Sequence, residues 1–237
     1  MNNRIVAIGD IHGRLDCLNE MLKMIDASRI DNEKFDIYFL GDFIDRGPNS
    51  AQVLEKIKTG PKNSDRWFPL IGNHEDMMIK SYTSEDDYDK MRWNTNWENN
   101  GGLEALRSYE EYPNENQIIK SHVEWLTTLP LCYETDNYLF VHAGFMPGYS
   151  LDEQDDESMV WIRDRFLKAE NDFAGWKYIV HGHTPQWAGK PQFSEPEILS
   201  WRTNLDTAAF HCGILTAGIF DPDNPGPPTK ILQTELL

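Results

Sequence analysis

The chain is short of positive charge, of paired cysteines and of long apolar runs, and each shortage removes a class of function. Its 22 lysines and arginines stand against 39 aspartates and glutamates, a net charge of −17. So acidic a surface repels nucleic-acid backbones and anionic membranes, and neither is expected as a stable partner. The three cysteines, Cys17, Cys132 and Cys212, form no CxxC pair. That argues against a zinc knuckle or disulfide framework and suits unreactive thiols in a reducing compartment. No uncharged apolar run approaches the ~20 residues of a bilayer span. The start, MNNRIVAIGD, has no apolar signal core, so a cytoplasmic protein is expected. A length of 237 residues with 40% hydrophobic content suffices for one sizeable core, and a single domain over 1–237 is expected.

What the chain does have is a repeated pattern. Arg4 to Ile8 is an apolar run ending in GDIHG, after which Leu15, Leu18, Leu22 and Ile25 recur at helical spacing. Asp36 to Leu40 leads into GDFIDRGPNS and a second helix marked by Val53, Leu54 and Ile57. Trp67 to Ile71 leads into GNHEDMMIK. Three strand–turn–helix units in succession predict parallel neighbours covered by helices, an α/β arrangement. From about Ser81 to Leu129 the pattern breaks into weak helical stretches, read as a mostly helical insertion. YLFVH and YIVHGHT then resume the strands, and WRTNLDT, GILTAGIF and KILQT read as closing antiparallel strands. The acidic clusters SEDDYD and DEQDDE read as solvated loops.

The chemistry lies in the turns. Asp10 and His12, Asp42 with Asp45 and Arg46, Asn73 and His74, His142, and His181 with His183 each follow an apolar run. Ends of parallel strands converge on one crevice, so the five turns predict one site. A lone aspartate after a strand is commonly a helix cap and a lone histidine a core residue; five turns of one form do not reduce to five separate caps. Carboxylate, imidazole and amide oxygen together suit Mn²⁺, Fe²⁺ or Zn²⁺, and the set is too rich in nitrogen for calcium.

GDIHG, GDFIDRG, GNHE, the histidine of VHAG and that of HGHT, in this order, resemble the dinuclear metallophosphatase signature. The chain is most similar to the compact bacterial and bacteriophage-lambda type of phosphoprotein phosphatase, within the calcineurin-like metallophosphoesterases. Agreement extends to WIRDRF at 161–166 and NLDTAAFHCG at 204–213, and leaves out only the insertion at about 81–129. The resemblance implies a four-layer αββα sandwich of two mixed sheets flanked by helices. It also implies two divalent ions, manganese favoured, with iron, zinc, nickel and cobalt as alternatives. Asp10 and His12 would hold one, Asp42 would bridge, and Asn73, His142 and His183 would hold the second. A hydroxide shared by the ions would attack phosphorus directly. His74 would protonate the leaving oxygen, Asp45 would orient it, and Arg46 and Arg163 would grip the phosphate. Arg163 is preferred to Arg165 by its place in WIRDRF.

Other residues receive plainer readings. His181 is open between supporting the site and filling the core, while His122 and His211 read as structural. Glu75 is accounted for as a helix-start carboxylate. Trp93 and Trp97, with Asn100, Gly101 and Gly102, resemble a family segment near the site's mouth, but core packing is the preferred reading for both tryptophans.

The function expected is a phosphomonoesterase acting on phosphoserine or phosphothreonine, with phosphotyrosine as a further substrate, in a protein or small phosphorylated molecule. The alternative is a symmetrical bis(5'-nucleosyl)-tetraphosphatase yielding ADP. A silent binding module is disfavoured because every implied ligand is present. HGHTP puts Pro185 where phosphodiesterases of the wider superfamily carry a further histidine, which favours the phosphatase branch. With no SAPNY-like segment, no regulatory subunit is predicted.

Overall fold

The computed structural model describes residues 3–31, 33–169, 173, 175–185 and 195–235. In chain order the first half comprises β1 (Arg4–Ile8), α1 (Leu15–Ala27), β2 (Phe35–Phe39), α2 (Ser50–Thr59), β3 (Arg66–Pro69) and α3 (Asn73–Thr83). It continues through α4 (Asp87–Trp97), a π-helical turn (Glu98–Gly102), α5 (Leu103–Arg107) and α6 (Glu115–Leu126). The second half holds β4 (Cys132–Glu134), β5 (Tyr138–Val141), α7 (Asp156–Trp161), α8 (Asp164–Leu167), β6 (Tyr178–His181), β7 (Glu197–Ile198) and β8 (Arg202–Asn204). It ends with α9 (Ala209–Cys212), β9 (Thr216–Phe220) and β10 (Lys230–Gln233).

Among the described residues two five-stranded mixed sheets result, ordered β10-β9-β1-β2-β3 and β4-β5-β6-β8-β7. Strand periodicity explains how they stack, because alternate residues point to opposite faces. Val6, Ile8, Ile37 and Phe39 join a cluster with Leu18, Met21 and Leu54 of the covering helices. Ile5, Ala7 and Tyr38 face the other way and pack on Phe140, Tyr178 and Val180 of the second sheet. Tyr38 and Phe140 stack with ring centroids 3.8 Å apart. The outer face of the second sheet, Leu139, Val141 and Ile179, packs on Phe145 and Phe166. The layers are therefore helix, sheet, sheet, helix, as expected. The segment after α3 carries α4, α5 and α6, and α4 and α6 pack on α3. Among the described residues no helix is long and apolar enough to cross a membrane.

Two sequence expectations need correction. β9 and β10 do pair antiparallel, and β9 pairs antiparallel with β1. β8, however, lies in the second sheet, parallel to β6 and antiparallel to β7. Spacing along the chain shows that a strand follows closely, but which sheet it joins depends on which face it buries. The acidic stretches are also more than solvated loops. Asp86 accepts the N–H groups of Tyr88 and Asp89 at the start of α4, and Asp155 accepts that of Ser158 at the start of α7. Carboxylates there satisfy otherwise unpaired N–H groups and complement the helix dipole.

Candidate metal centre

β1 and β2 are parallel, so the turns that follow them emerge side by side. They are tied together: the N–H groups of Ile11 and His12 both donate to Asp42 O at 3.0 and 2.9 Å, and that of Gly13 to Phe43 O at 2.8 Å. In the second sheet the Gly182 N–H donates to His142 O at 2.8 Å, and the His183 N–H reaches across to the Asp10 carboxylate at 3.1 Å. Glu75 closes the arrangement. Fully buried, it accepts N–H groups from Asp42, Phe43, Ile44 and Gly72 at 2.8 to 3.2 Å. Gly72 must lack a side chain, because a Cβ there would lie 2.3 Å from Asp42 Oδ1. Among the described residues seven non-glycine residues have positive φ, and all but Asp31 belong to these turns: His12, Asp42, Asp45, Arg46, His183 and Ala208. Such conformations cost roughly 1–3 kcal/mol each and persist only where surrounding contacts over-determine them.

The donor atoms converge on Asp42. Two groups, His12–Asp42–His74 and Asp42–His142–His183, each have their ligand atoms within 4.8 Å of one another, and Asp42 is common to both. The ring nitrogens show what they await. His142 Nδ1 lies 2.7 Å from Leu40 O and His12 Nδ1 lies 2.8 Å from Ile44 O. A carbonyl can only accept, so each Nδ1 carries the proton and each Nε2 is a bare lone pair. His142 Nε2 nonetheless faces Asn73 Oδ1 at 3.0 Å and Asp42 Oδ1 at 3.3 Å. Acceptors turned toward one another repel unless a cation lies between them, and the residues therefore fit a divalent ion.

The charge balance leads to the same conclusion. Burial, with the charges of Asp206 and Asp42, pushes Asp10 well above the usual carboxylate range. Burial likewise raises Asp42 to about 7 and Asp206 to about 6. Burial lowers His12, and His142 falls to about 4, which keeps both imidazoles neutral and able to ligate. Asp10 is not one of the groups gathered within 4.8 Å around Asp42. Its carboxylate turns to the His183 N–H, between the like charges of Asp42 and Asp206.

His74, gathered with His12 around Asp42, has a second partner. Its Nδ1 is 2.6 Å from Asp45 Oδ2, and its Nε2 is 3.9 Å from Asp42 Oδ2. The indole N–H of Trp97 donates to both Asp45 oxygens, at 2.9 and 3.0 Å. Arg46 Nη1 lies 2.9 Å from His12 Nε2, and its guanidinium sits 4.7 Å over the Phe210 ring. The Arg46 N–H donates to Gly101 O across the π-helical turn. Arg163 Nη1 reaches His183 O and Thr184 Oγ1 at 3.3 and 3.2 Å, whereas Arg165 approaches Met146 Sδ.

Several of these roles were not legible in the sequence. Trp97 packs in the core as expected, yet it also holds Asp45. Glu75 opens α3 but functions as a clasp on the Asp42 turn. Asp206, buried beside Asp10, carried a signal that went unused: it follows a strand as Asp10 and Asp42 do. Phe210 carried no signal. His181 is buried against Phe166 and pairs with Arg202 at 3.0 Å. His122 hydrogen-bonds Tyr109 and Glu55 in the helical layer.

Comparison with known proteins agrees with the geometry. Residues 3–213 match the model for calcineurin-like phosphoesterases. The chain belongs to the calcineurin-like phosphoesterase family. It is 27% identical over 149 residues to a symmetrical bis(5'-nucleosyl)-tetraphosphatase of Nitrosospira multiformis, an alignment covering 63% of this chain and 46% of that protein. The matched part thus spans about half the length of that relative. It is 26% identical to serine/threonine-protein phosphatase 1 of Salmonella typhimurium, covering 75% of this chain and 77% of that one. A metallophosphoesterase structure from Sphaerobacter thermophilus superposes with a TM-score of 0.57 at 22% identity, over 94% of this chain and 85% of the other, and shows the shared fold. Membership of this family fits a site whose residues suit divalent metals.

Proposed function

We propose that this phosphoesterase transfers a phosphoryl group to water at a site whose residues would hold two divalent cations around Asp42, and that His74 protonates the leaving oxygen. The observation that carries the reading is the set of mutually facing acceptors around Asp42 with the His74–Asp45 pair beside it. Asp10, His12 and Asp42 would hold one cation, and Asp42, Asn73, His142 and His183 the other, with manganese the favoured metal. When bound, such a pair supplies Lewis acidity that polarises phosphoryl oxygens and acidifies water.

The chain's own residues handle the proton and the phosphate. Burial drives Asp45 up and His74 down, so one proton is shared between Oδ2 and Nδ1 and the pair is neutral as a whole. His74 Nε2 then carries a second proton on the side of Asp42. Giving it to the leaving oxygen, while Nδ1 draws the shared proton from Asp45, leaves neutral imidazole and a carboxylate. The Trp97 N–H stabilises that new charge. Arg46 and Arg163 would grip the phosphate through forked donors.

Phosphoserine or phosphothreonine in a protein and the phosphate chain of a dinucleotide both present a group these residues would hold. Relatives named for each activity support both readings, and a cavity beside the site favours the nucleotide. The test is hydrolysis of a phosphopeptide panel and of diadenosine tetraphosphate after EDTA treatment and Mn²⁺ addition. Turnover lost with EDTA and restored by Mn²⁺ supports the reading; metal-independent turnover overturns it.

A further inference from the structure

A cavity of about 590 Å³ lies between α4 and α7, lined by Lys80, Arg92, Trp93, Asn96, Glu157 and Trp161. Both walls lead to the metal centre. On one side Trp161 meets the His183 ring edge-on, with centroids 6.4 Å apart. On the other, Asn96 accepts from Asn100 at 2.8 Å through its backbone carbonyl, and the next residue, Gly101, accepts from the Arg46 N–H. The wall is built, not loose: Asp76 Oδ2 receives both Lys80 Nζ at 2.7 Å and the Trp161 indole N–H at 3.3 Å.

Its lining mixes cations, carboxylates and indoles: Lys80 pairs with Asp76, Arg92 pairs with Asp89 at 3.3 Å, and Glu157 completes the wall. Lys80 Nζ and Arg92 Cζ lie 4.6 and 5.2 Å from the Trp93 ring centroid, which brings two cations to one indole. Trp161 adds a second aromatic surface and Asn96 an amide able both to donate and to accept. A volume of this size suits a small organic ligand. Flat rings stack on tryptophan, an amide pairs with a base edge, and cations attract phosphates. A phosphoserine peptide offers none of the flat aromatic surface that two tryptophans would reward.

We propose that this cavity binds the base and adjoining phosphates of a nucleoside polyphosphate whose scissile phosphoryl group enters the metal centre. The inference rests on the phosphohydrolase reading of that centre and names its substrate class. Trp93 supplies the stacking face, Lys80 and Arg92 turn from their carboxylate partners Asp76 and Asp89 to the phosphate chain, and Trp161 lines the side of the cavity next to His183.

Two measurements separate the claims. First, ADP and the baseless ribose 5-phosphate are titrated into EDTA-treated full-length protein by calorimetry, with no catalysis involved. ADP should bind more tightly than ribose 5-phosphate, Trp93→Ala should weaken ADP at least about fivefold, and Trp93→Phe should recover most of the loss. Second, with Mn²⁺ present, the ratio of kcat/KM for diadenosine tetraphosphate to that for a phosphopeptide should fall by a similar factor in Trp93→Ala. Unchanged ADP affinity in Trp93→Ala, or an unchanged ratio, overturns the proposal. If Trp93→Ala does not fold, Arg92→Gln at the exposed rim takes its place, and ADP affinity equal to wild type then overturns it. Absence of any metal-dependent hydrolysis by wild type would overturn the function proposed for the centre, and the ADP titration would still decide the cavity.

Discussion

Replacing Trp97 by phenylalanine removes one N–H and little else, which makes it a sharp probe of proton transfer. Trp97 is buried and its indole N–H spans both oxygens of Asp45. In the neutral resting pair that hydrogen bond contributes about 0.5–1.5 kcal/mol, rising to about 1.5–3 kcal/mol once Asp45 is charged. The smaller ring leaves a void of ~40 Å³, which at ~24 cal/mol per Å³ costs about 1 kcal/mol more. A total loss of roughly 1.5–2.5 kcal/mol should appear as a lower urea midpoint. The catalytic effect has a different signature. Asp45 becomes fully charged only as His74 gives up its proton, so the missing bond is felt in the transition state more than in the substrate complex. At about 1.4 kcal/mol per factor of ten, kcat should fall roughly tenfold to a hundredfold with KM little changed. The loss should depend on the leaving group. p-Nitrophenol departs without needing a proton, so p-nitrophenyl phosphate should lose much less than phenyl phosphate. Equal losses with both substrates, or wild-type turnover with phenyl phosphate, would refute the role given to the His74–Asp45–Trp97 chain.

Three further outcomes are expected. Gly101 has φ of +106°, and a Cβ there would lie 2.7 Å from the Arg46 nitrogen; Gly101→Ala should raise KM for small phosphate esters, and steady-state kinetics would show it. Mn²⁺ binds only the folded protein, so at about 100 times its Kd it should add ~2.7 kcal/mol and raise Tm by about 5–10 °C; calorimetry should find most of that shift missing in Asp42→Asn. Burial lowers the pKa of His122 in the folded state. The folded chain then binds that proton more weakly than the unfolded one, so the contribution is complete above about pH 6.5 and is lost as pH falls through the folded value. Urea midpoints from pH 8 to pH 5 should therefore decline more steeply for wild type than for His122→Gln, and parallel curves would contradict the assignment.

Much of the site could be read from the chain because its parts are local. GDIHG, GDFIDRG and GNHE each place a candidate metal ligand within a few residues of a strand end, and strand ends of one parallel sheet must meet. His142 and His183 come from the second sheet, and their place was legible through the same strand–turn form. Trp97 was different. It stands 52 residues from Asp45 on a helix of its own, and nothing in WNTNWENNGG distinguishes an indole that packs from one that also donates to a buried carboxylate. Glu75 was read as a helix-start acid because that local role suffices; that four N–H groups from two segments surround it follows from how the Asp42 turn folds over α3.

The amino-acid order by itself determined the strand–turn–helix units, the two kinds of periodicity that make an αββα stack, and the chemical identity of the donors. Those follow from the side-chain direction of each residue and from near neighbours. Only the tertiary structure decided that β8 joins the second sheet, that Asp206 and Phe210 border the centre, that Asp10 turns toward His183, and that Trp93 and Trp161 face a common cavity. Each depends on contact between segments far apart in the chain, where burial, like-charge repulsion and packing select among arrangements that local pattern leaves equal.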